Sequence, residues 1–230
     1  MIRFKHLLSL IIVIPSTLIA QTKEMSNKAL NILTLGDSNG TFPYSWPEQL
    51  KRALPNAQVF NISKSGRTIG FLNLGDSTLN SLYVIDENLD KAAAFTKDRL
   101  YDFIILELGT NDGKAVFAER QEEVPVNLEK FIQKIKTSRY PSIQNSKIVI
   151  ISPPPYGSKA EVTEKYRGGD RRVKAMSKSF KKVAKRNHCL YVNGYRTPGL
   201  DVETMTVDGL HLDATGSRKL IEPVVKFILK

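Results

Sequence analysis

Five short apolar runs mark the chain at Ile32–Leu35, Gln58–Ile62, Phe103–Leu108, Lys147–Ile151 and Leu190–Val192. Phe103-Ile-Ile-Leu106 and Ile148-Val-Ile-Ile151 are continuous rather than alternating, which is the pattern of strands covered on both faces in a parallel sheet. Helix-patterned stretches lie between and after the runs. Trp46–Leu54 is one, with Pro47 tolerable in its first turn. Val126–Lys136 places Leu128, Phe131, Ile132 and Ile135 on one face. Arg171–Arg186 follows Asp170, a candidate cap. Thr215–Leu229 closes the chain with Asp213 or Thr215 as cap, and Pro223 is expected to bend or shorten it. Strand–helix alternation predicts an α/β domain with a five-stranded parallel sheet between two helical layers. The longest connection, 67–98, is rich in apolar residues, among them Phe71, Leu79 and Val84. It could wall an acyl pocket, but ordinary packing of a βα connection is the preferred reading.

In such a sheet, sites form at the carboxyl ends of the strands. Polar clusters fall there repeatedly: Gly36-Asp-Ser38, Ser65-Gly66, Gly109-Thr-Asn-Asp112 and Ser152-Pro-Pro-Pro155 follow the first four strands. Asp208-Gly-Leu-His211 occupies the last loop before the closing helix. Strand ends converge in space, so the recurrence carries more weight than any one cluster.

The first twenty residues read as a secretory signal peptide. Arg3, Lys5 and His6 form a positive start, Leu7 to Ile14 an apolar run, and Ala20 a plausible last residue before cleavage. Leu18 sits where a small residue is preferred, so an uncleaved anchor is the alternative. The mature domain is then 21–230, secreted or periplasmic, with no stable membrane span. With 230 residues and 41% hydrophobic content the chain can build a substantial core without a disulfide. Its single Cys189 reads as a small buried hydrophobe.

The formal net charge is +11, or +9 once Arg3 and Lys5 leave with the leader. Much of the excess lies in 159–186. Val173, Met176, Phe180 and Val183 form an apolar stripe there, so the preferred reading is an amphipathic helix with solvated charges. No nucleic-acid motif accompanies the charge, and nucleic acid is not expected as a partner.

A serine hydroxyl needs a base to take its proton and donors to hold the developing oxyanion. Ser38 follows Gly36 at a strand-to-loop turn, which alone would be weak evidence. His211 is the best candidate base, since the mature chain holds only His188 and His211, and His188 ends a basic helix. Asp208, three residues before His211, could fix the ring tautomer and leave the other nitrogen for Ser38.

The segments Leu35-Gly-Asp-Ser38, Asn61-Ile-Ser-Lys-Ser-Gly66, Leu108-Gly-Thr-Asn-Asp112 and Asp208-Gly-Leu-His211 resemble the four ordered blocks of SGNH (GDSL-type) hydrolases. The resemblance runs from residue 31 to the last helix and implies a flavodoxin-like α/β/α fold. It also implies Ser38 as nucleophile, His211 as base and then acid, and Asp208 as its orienting partner. The oxyanion hole would be the backbone N–H groups of Ser38 and Gly66 with the side-chain amide of Asn111. The family needs no metal or other cofactor, and the sequence shows no metal-ligand spacing. Asp37 and Asp112 read as structural. Family members often carry a second glycine after the second block, where this chain has Arg67, either a loop stabiliser or a contact for an anionic substrate. Export and a compact scaffold resemble the bacterial carbohydrate acetylesterases at least as well as lipases. The expectation is therefore a secreted esterase removing short acyl groups, acetyl first, from a glycan or small-molecule ester. A lipase, lysophospholipase or thioesterase on longer chains and an O-acyltransferase would use the same triad. A non-catalytic binding module is disfavoured by the complete residue set.

Overall fold

The computed structural model describes residues 29–97 and 99–230. The segment read as a signal peptide, residues 1–20, lies outside the described residues.

Five strands, β1 (Asn31–Gly36), β2 (Gln58–Asn61), β3 (Phe103–Glu107), β4 (Lys147–Ile151) and β5 (Leu190–Val192), form one sheet in the order β2-β1-β3-β4-β5. All four ladders are parallel, so all the expected strands meet as expected. The register sets Gly36 beside Glu107, so the polar segments after β1 and β3 start side by side.

Seven helices complete the described chain: α1 (Trp46–Ala53), α2 (Ser81–Thr96), α3 (Glu123–Lys136), the short α4 (Pro141–Gln144) and α5 (Ser158–Glu161), α6 (Gly169–Arg186) and α7 (Ala214–Ile228). Side chains of a strand alternate between faces, and two hydrophobic clusters divide along that alternation. Leu33, Leu35, Ile104, Leu106, Ile148 and Ile150 pack with residues of α2, α3 and α6. Ile32, Phe103, Ile105, Val149 and Ile151 pack with residues of α1 and α7. Trp46 and Leu50 of α1 are fully buried in the second cluster. Burying each such side chain stabilises the fold by about 1.5–3 kcal/mol.

Most of the 67–97 connection is packed structure, as the preferred reading expects, with α2 capped by Asn80, whose side chain accepts from the N–H groups of Leu82 and Tyr83. Four local expectations change. Helix α3 starts three residues earlier than its apolar period suggests, because Pro125 is harmless in a first turn whose N–H groups have no intrahelical partner. Asp170 does not cap α6. The cap position is Gly168, and the Asp170 carboxylate accepts from the Tyr156 N–H and the Tyr195 hydroxyl. Asp213 does cap α7, which continues through Pro223 rather than stopping there. Cys189 is half-buried rather than buried.

Candidate active site

The backbone leaves β1 into a single 3-10 turn, Ser38–Gly40. Asp37 makes the turn: its Oδ1 accepts the Asn39 N–H at 3.0 Å. That places Ser38 at the carboxyl edge of the sheet, nearly buried at 7% exposure. The loop before α7 brings His211 to it. The Nε2 of His211 lies 3.0 Å from Ser38 Oγ, and its Nδ1 lies 2.7 Å from Asp208 Oδ2. The other oxygen of Asp208 accepts the N–H groups of Leu210 and His211, a closed turn within the Asp-Gly-Leu-His segment. Partial burial raises the Asp208 pKa, but the His211 and Leu210 bonds outweigh it and hold the carboxyl below its ordinary value. The Phe42 ring stands edge-on to the imidazole, with centroids 5.7 Å apart.

Asn39 fastens the two segments, a role the sequence did not suggest. Its Oδ1 accepts the Leu212 N–H at 2.9 Å and its Nδ2 donates to the Leu210 carbonyl at 3.4 Å. It thus grips the backbone on both sides of His211. Gly209 holds a positive φ of 81°, and a Cβ there would come within 2.7 Å of the Ala160 nitrogen. The close approach allows its carbonyl to accept the Gly157 N–H at 2.7 Å.

The second block packs against the first. Asn61 donates to the Gly40 carbonyl at 2.7 Å and accepts from Ser63, while Thr41 Oγ1 reaches Ser65 Oγ at 3.1 Å. Gly66 follows at φ 80°. Two side-chain amides fix the next carbonyls: Asn73 donates to Gly66 O at 2.5 Å and Asn111 donates to Arg67 O at 3.1 Å. An amide carries two hydrogens, so Asn111 keeps one for another acceptor. The backbone N–H groups of Ser38 and Gly66 have no acceptor among the described residues. Arg67 is a loop stabiliser, 5% exposed, with Nη1 donating to the Ile62 carbonyl at 2.6 Å.

Charged groups lie buried beneath this surface. Burial pushes Asp37 up to about 6, against the Asn39 N–H bond. Burial pushes Asp112 up to about 7 although it accepts the Ile69 N–H through both oxygens at 3.1 Å. Glu107 is fully buried, beside the indole of Trp46. Burial and then the neighbouring Asp37 charge raise its pKa well above its ordinary value, against the Trp46 bond. Lys114, also missed from sequence, is 3% exposed and donates to Asn73 Oδ1 at 3.2 Å, behind the Gly66 carbonyl. Burial, reinforced by the Lys165 charge, lowers its pKa to about 8.

A nearly buried serine hydroxyl against an imidazole that is itself braced by a carboxylate can be deprotonated as it attacks a carbonyl carbon. Residues 33–219 match the GDSL-like Lipase/Acylhydrolase family. The chain belongs to that family. It is a carboxylic ester hydrolase, as that family's acylhydrolases are, and acts on small-molecule esters. A comparison with curated proteins gave no significant sequence match. Among solved structures, this acylhydrolase is similar to a carbohydrate acetylesterase from Sinorhizobium meliloti, at TM-score 0.73 and 20% identity over 86% of this chain and 98% of that one. It is similar to the aryl esterase of M. smegmatis, at TM-score 0.72 and 20% identity over 87% and 98% of the two chains. A lipase/acylhydrolase from Enterococcus faecalis aligns at TM-score 0.62 and 21% identity over 87% and 95%. At these identities the likeness establishes the shared SGNH hydrolase fold. Among the described residues no helix of the esterase is long and apolar enough to cross a membrane, and no group of three or more His, Cys, Asp or Glu could hold a metal ion.

Proposed function

We propose that the chain is an exported esterase that removes short acyl groups, acetyl first, from saccharides through an acyl-enzyme on Ser38. The observation that carries this reading is the continuous relay from Ser38 Oγ to His211 at 3.0 Å and from His211 to Asp208 at 2.7 Å. Ser38 attacks the ester carbonyl while His211 Nε2 takes its proton. Asp208 holds the Nδ1–H tautomer and steadies the imidazolium. The oxyanion is received by the Ser38 and Gly66 N–H groups and the free hydrogen of the Asn111 amide. His211 returns the proton to the leaving alcohol, then activates the water that releases the acid.

Short acyl groups are favoured because the 67–97 connection is mostly packed into the fold. Phe71 and Ile85 are buried in the core, and Leu72, Leu74 and Tyr83 point to solvent. The structural likeness to a carbohydrate acetylesterase supports a saccharide substrate, and the positive, apolar start of the chain supports export. Hydrolysis of aryl esters of increasing acyl length, set beside acetate release from acetylated polysaccharides, tests the reading. Rates should fall as the acyl chain grows, and Ser38→Ala and His211→Ala should be inert. Equal or faster hydrolysis of long-chain esters would overturn the substrate, and an active Ser38→Ala protein would overturn the nucleophile.

A further inference from the structure

We propose that the outer face of α6 is a docking track for an acidic polysaccharide, the polymer whose ester groups the Ser38 site removes. At 3.6 residues per turn, Arg171, Lys174, Lys178, Lys181, Lys182 and Lys185 all fall within an arc of roughly 100°. All six are exposed. From Arg171 to Lys185 the track is about 21 Å long at 1.5 Å per residue.

What marks this face is six cations in one arc with no acid among them. Some exposed cations elsewhere find acids: Lys91 with Glu87, Lys134 with Asp86 and Arg139 with Asp90. Among the described residues none of the six on α6 is in an ion pair. The helix has one acid, Asp170, and its carboxylate is turned to the Tyr156 N–H and the Tyr195 hydroxyl. The nearest ion pair, Arg186 with Glu129, lies at the far end, one residue beyond the track. A row of uncompensated like charges repels itself and is relieved by a polyanion laid along it.

The amino end of α6 is tied to the loops that carry the site. The segment leading into α6 touches the base loop through the Gly157 N–H and Gly209 carbonyl, 2.7 Å apart. It touches the Asn111 segment through the Lys165 carbonyl, which accepts the Ala115 N–H at 2.9 Å. Arg172, at the first turn of α6, donates to the Gly113 carbonyl at 2.7 Å. A polymer on α6 therefore reaches the rim beside Ser38 and His211.

Of the polyanions that carry esters, the geometry favours a glycan over a lipid surface. Interfacial helices seat themselves with apolar residues. The apolar residues of α6, such as Val173, Met176 and Phe180, are buried in the core, and no large hydrophobic side chain is exposed along it. Nor does the face present an aromatic side chain on which a nucleic-acid base could stack.

The inference rests on the Ser38 reading for substrate turnover only, so binding is measured separately on Ser38→Ala protein. The probes are polygalacturonate, neutral dextran, phosphatidylglycerol vesicles and duplex DNA. Polygalacturonate should bind best and weaken as salt is raised, and dextran should not bind. The triple change Lys174→Glu, Lys178→Glu and Lys181→Glu should raise its Kd at least tenfold, and the matching triple change to Gln should raise it less. In otherwise unchanged enzyme the Glu triple should raise KM for acetylated polygalacturonate at constant kcat and leave aryl acetate hydrolysis unaltered. Undiminished polygalacturonate binding by the Glu triple overturns the proposal. So does tighter binding of vesicles or DNA than of polygalacturonate, which would assign the face to another macromolecule.

Discussion

The rim around Ser38 and the outer face of α6 treat charge in opposite ways. Around the site, Asp37, Glu107, Asp112 and Lys114 are buried within one fold of loops, each shifted toward its neutral form by lost hydration. On α6, six cations stand in water with no partner among the described residues. Buried charge is costly and is kept where it holds geometry. Exposed charge costs little and acts at a distance. Single changes at the rim should therefore be severe and specific to chemistry, whereas changes on α6 should leave the chemistry intact.

The largest effect is expected from Asp208→Asn, which preserves shape but removes the carboxylate that fixes the His211 tautomer. Its kcat for an aryl acetate should fall about ten-thousand-fold. A loss below tenfold in steady-state kinetics would separate Asp208 from the relay. Next, Asn111→Ala should lower kcat by about a hundred- to a thousand-fold, with KM little changed. Lys114→Met should follow at roughly tenfold in kcat, the scale of one charge-assisted hydrogen bond. Its effect should not add to that of Asn73→Ala, because both release the Gly66 carbonyl. Additive losses would mean that the two act independently.

Acid–base linkage sharpens the contrast without touching turnover. Asp112 has a folded pKa of about 7 against an ordinary 3.8. Between these values the folded protein keeps a proton that the unfolded chain has lost. Its contribution to stability is thus complete below pH 3.8 and is lost as pH rises through about 7. Urea midpoints measured across that range should rise toward acid more steeply in the parent than in Asp112→Asn. The smallest effect belongs to α6: the Lys174, Lys178 and Lys181 charge reversal should keep aryl acetate kcat/KM within about twofold, since surface charges are screened over about 8–10 Å.

The sheet was legible because strands buried on both faces are written as unbroken apolar runs, and β4 and β5 match theirs to the residue. Helix α2 was not, since Tyr83 and Phe95 are exposed at its ends and blur the apolar stripe. Ser38, His211 and Asp208 were readable through their ordered segments, and the structure brings the three side chains together. Asn39, Asn73 and Lys114 left no comparable trace. Asn39 looks like a turn residue, yet its partners at Leu210 and Leu212 lie 171 and 173 residues away. Lys114 looks like a surface lysine, and only the arrival of Asn73, 41 residues before it, turns it into a buried clamp. Short polar side chains report their neighbours in sequence, whereas these act on neighbours in space.

The clamp that Asn39 makes across the molecule also dates the enzyme's activity. Synthesis runs from the amino to the carboxyl end, so Ser38 leaves the ribosome 173 residues before His211. At about 5–20 residues per second the nucleophile waits roughly ten seconds or more for its base. Over that interval Gly66 and Asn111 emerge in turn, while the imidazole that touches Ser38 is still to come. A chain released before residue 211 lacks the imidazole that touches Ser38, so the assembled pair reports that synthesis has passed that residue.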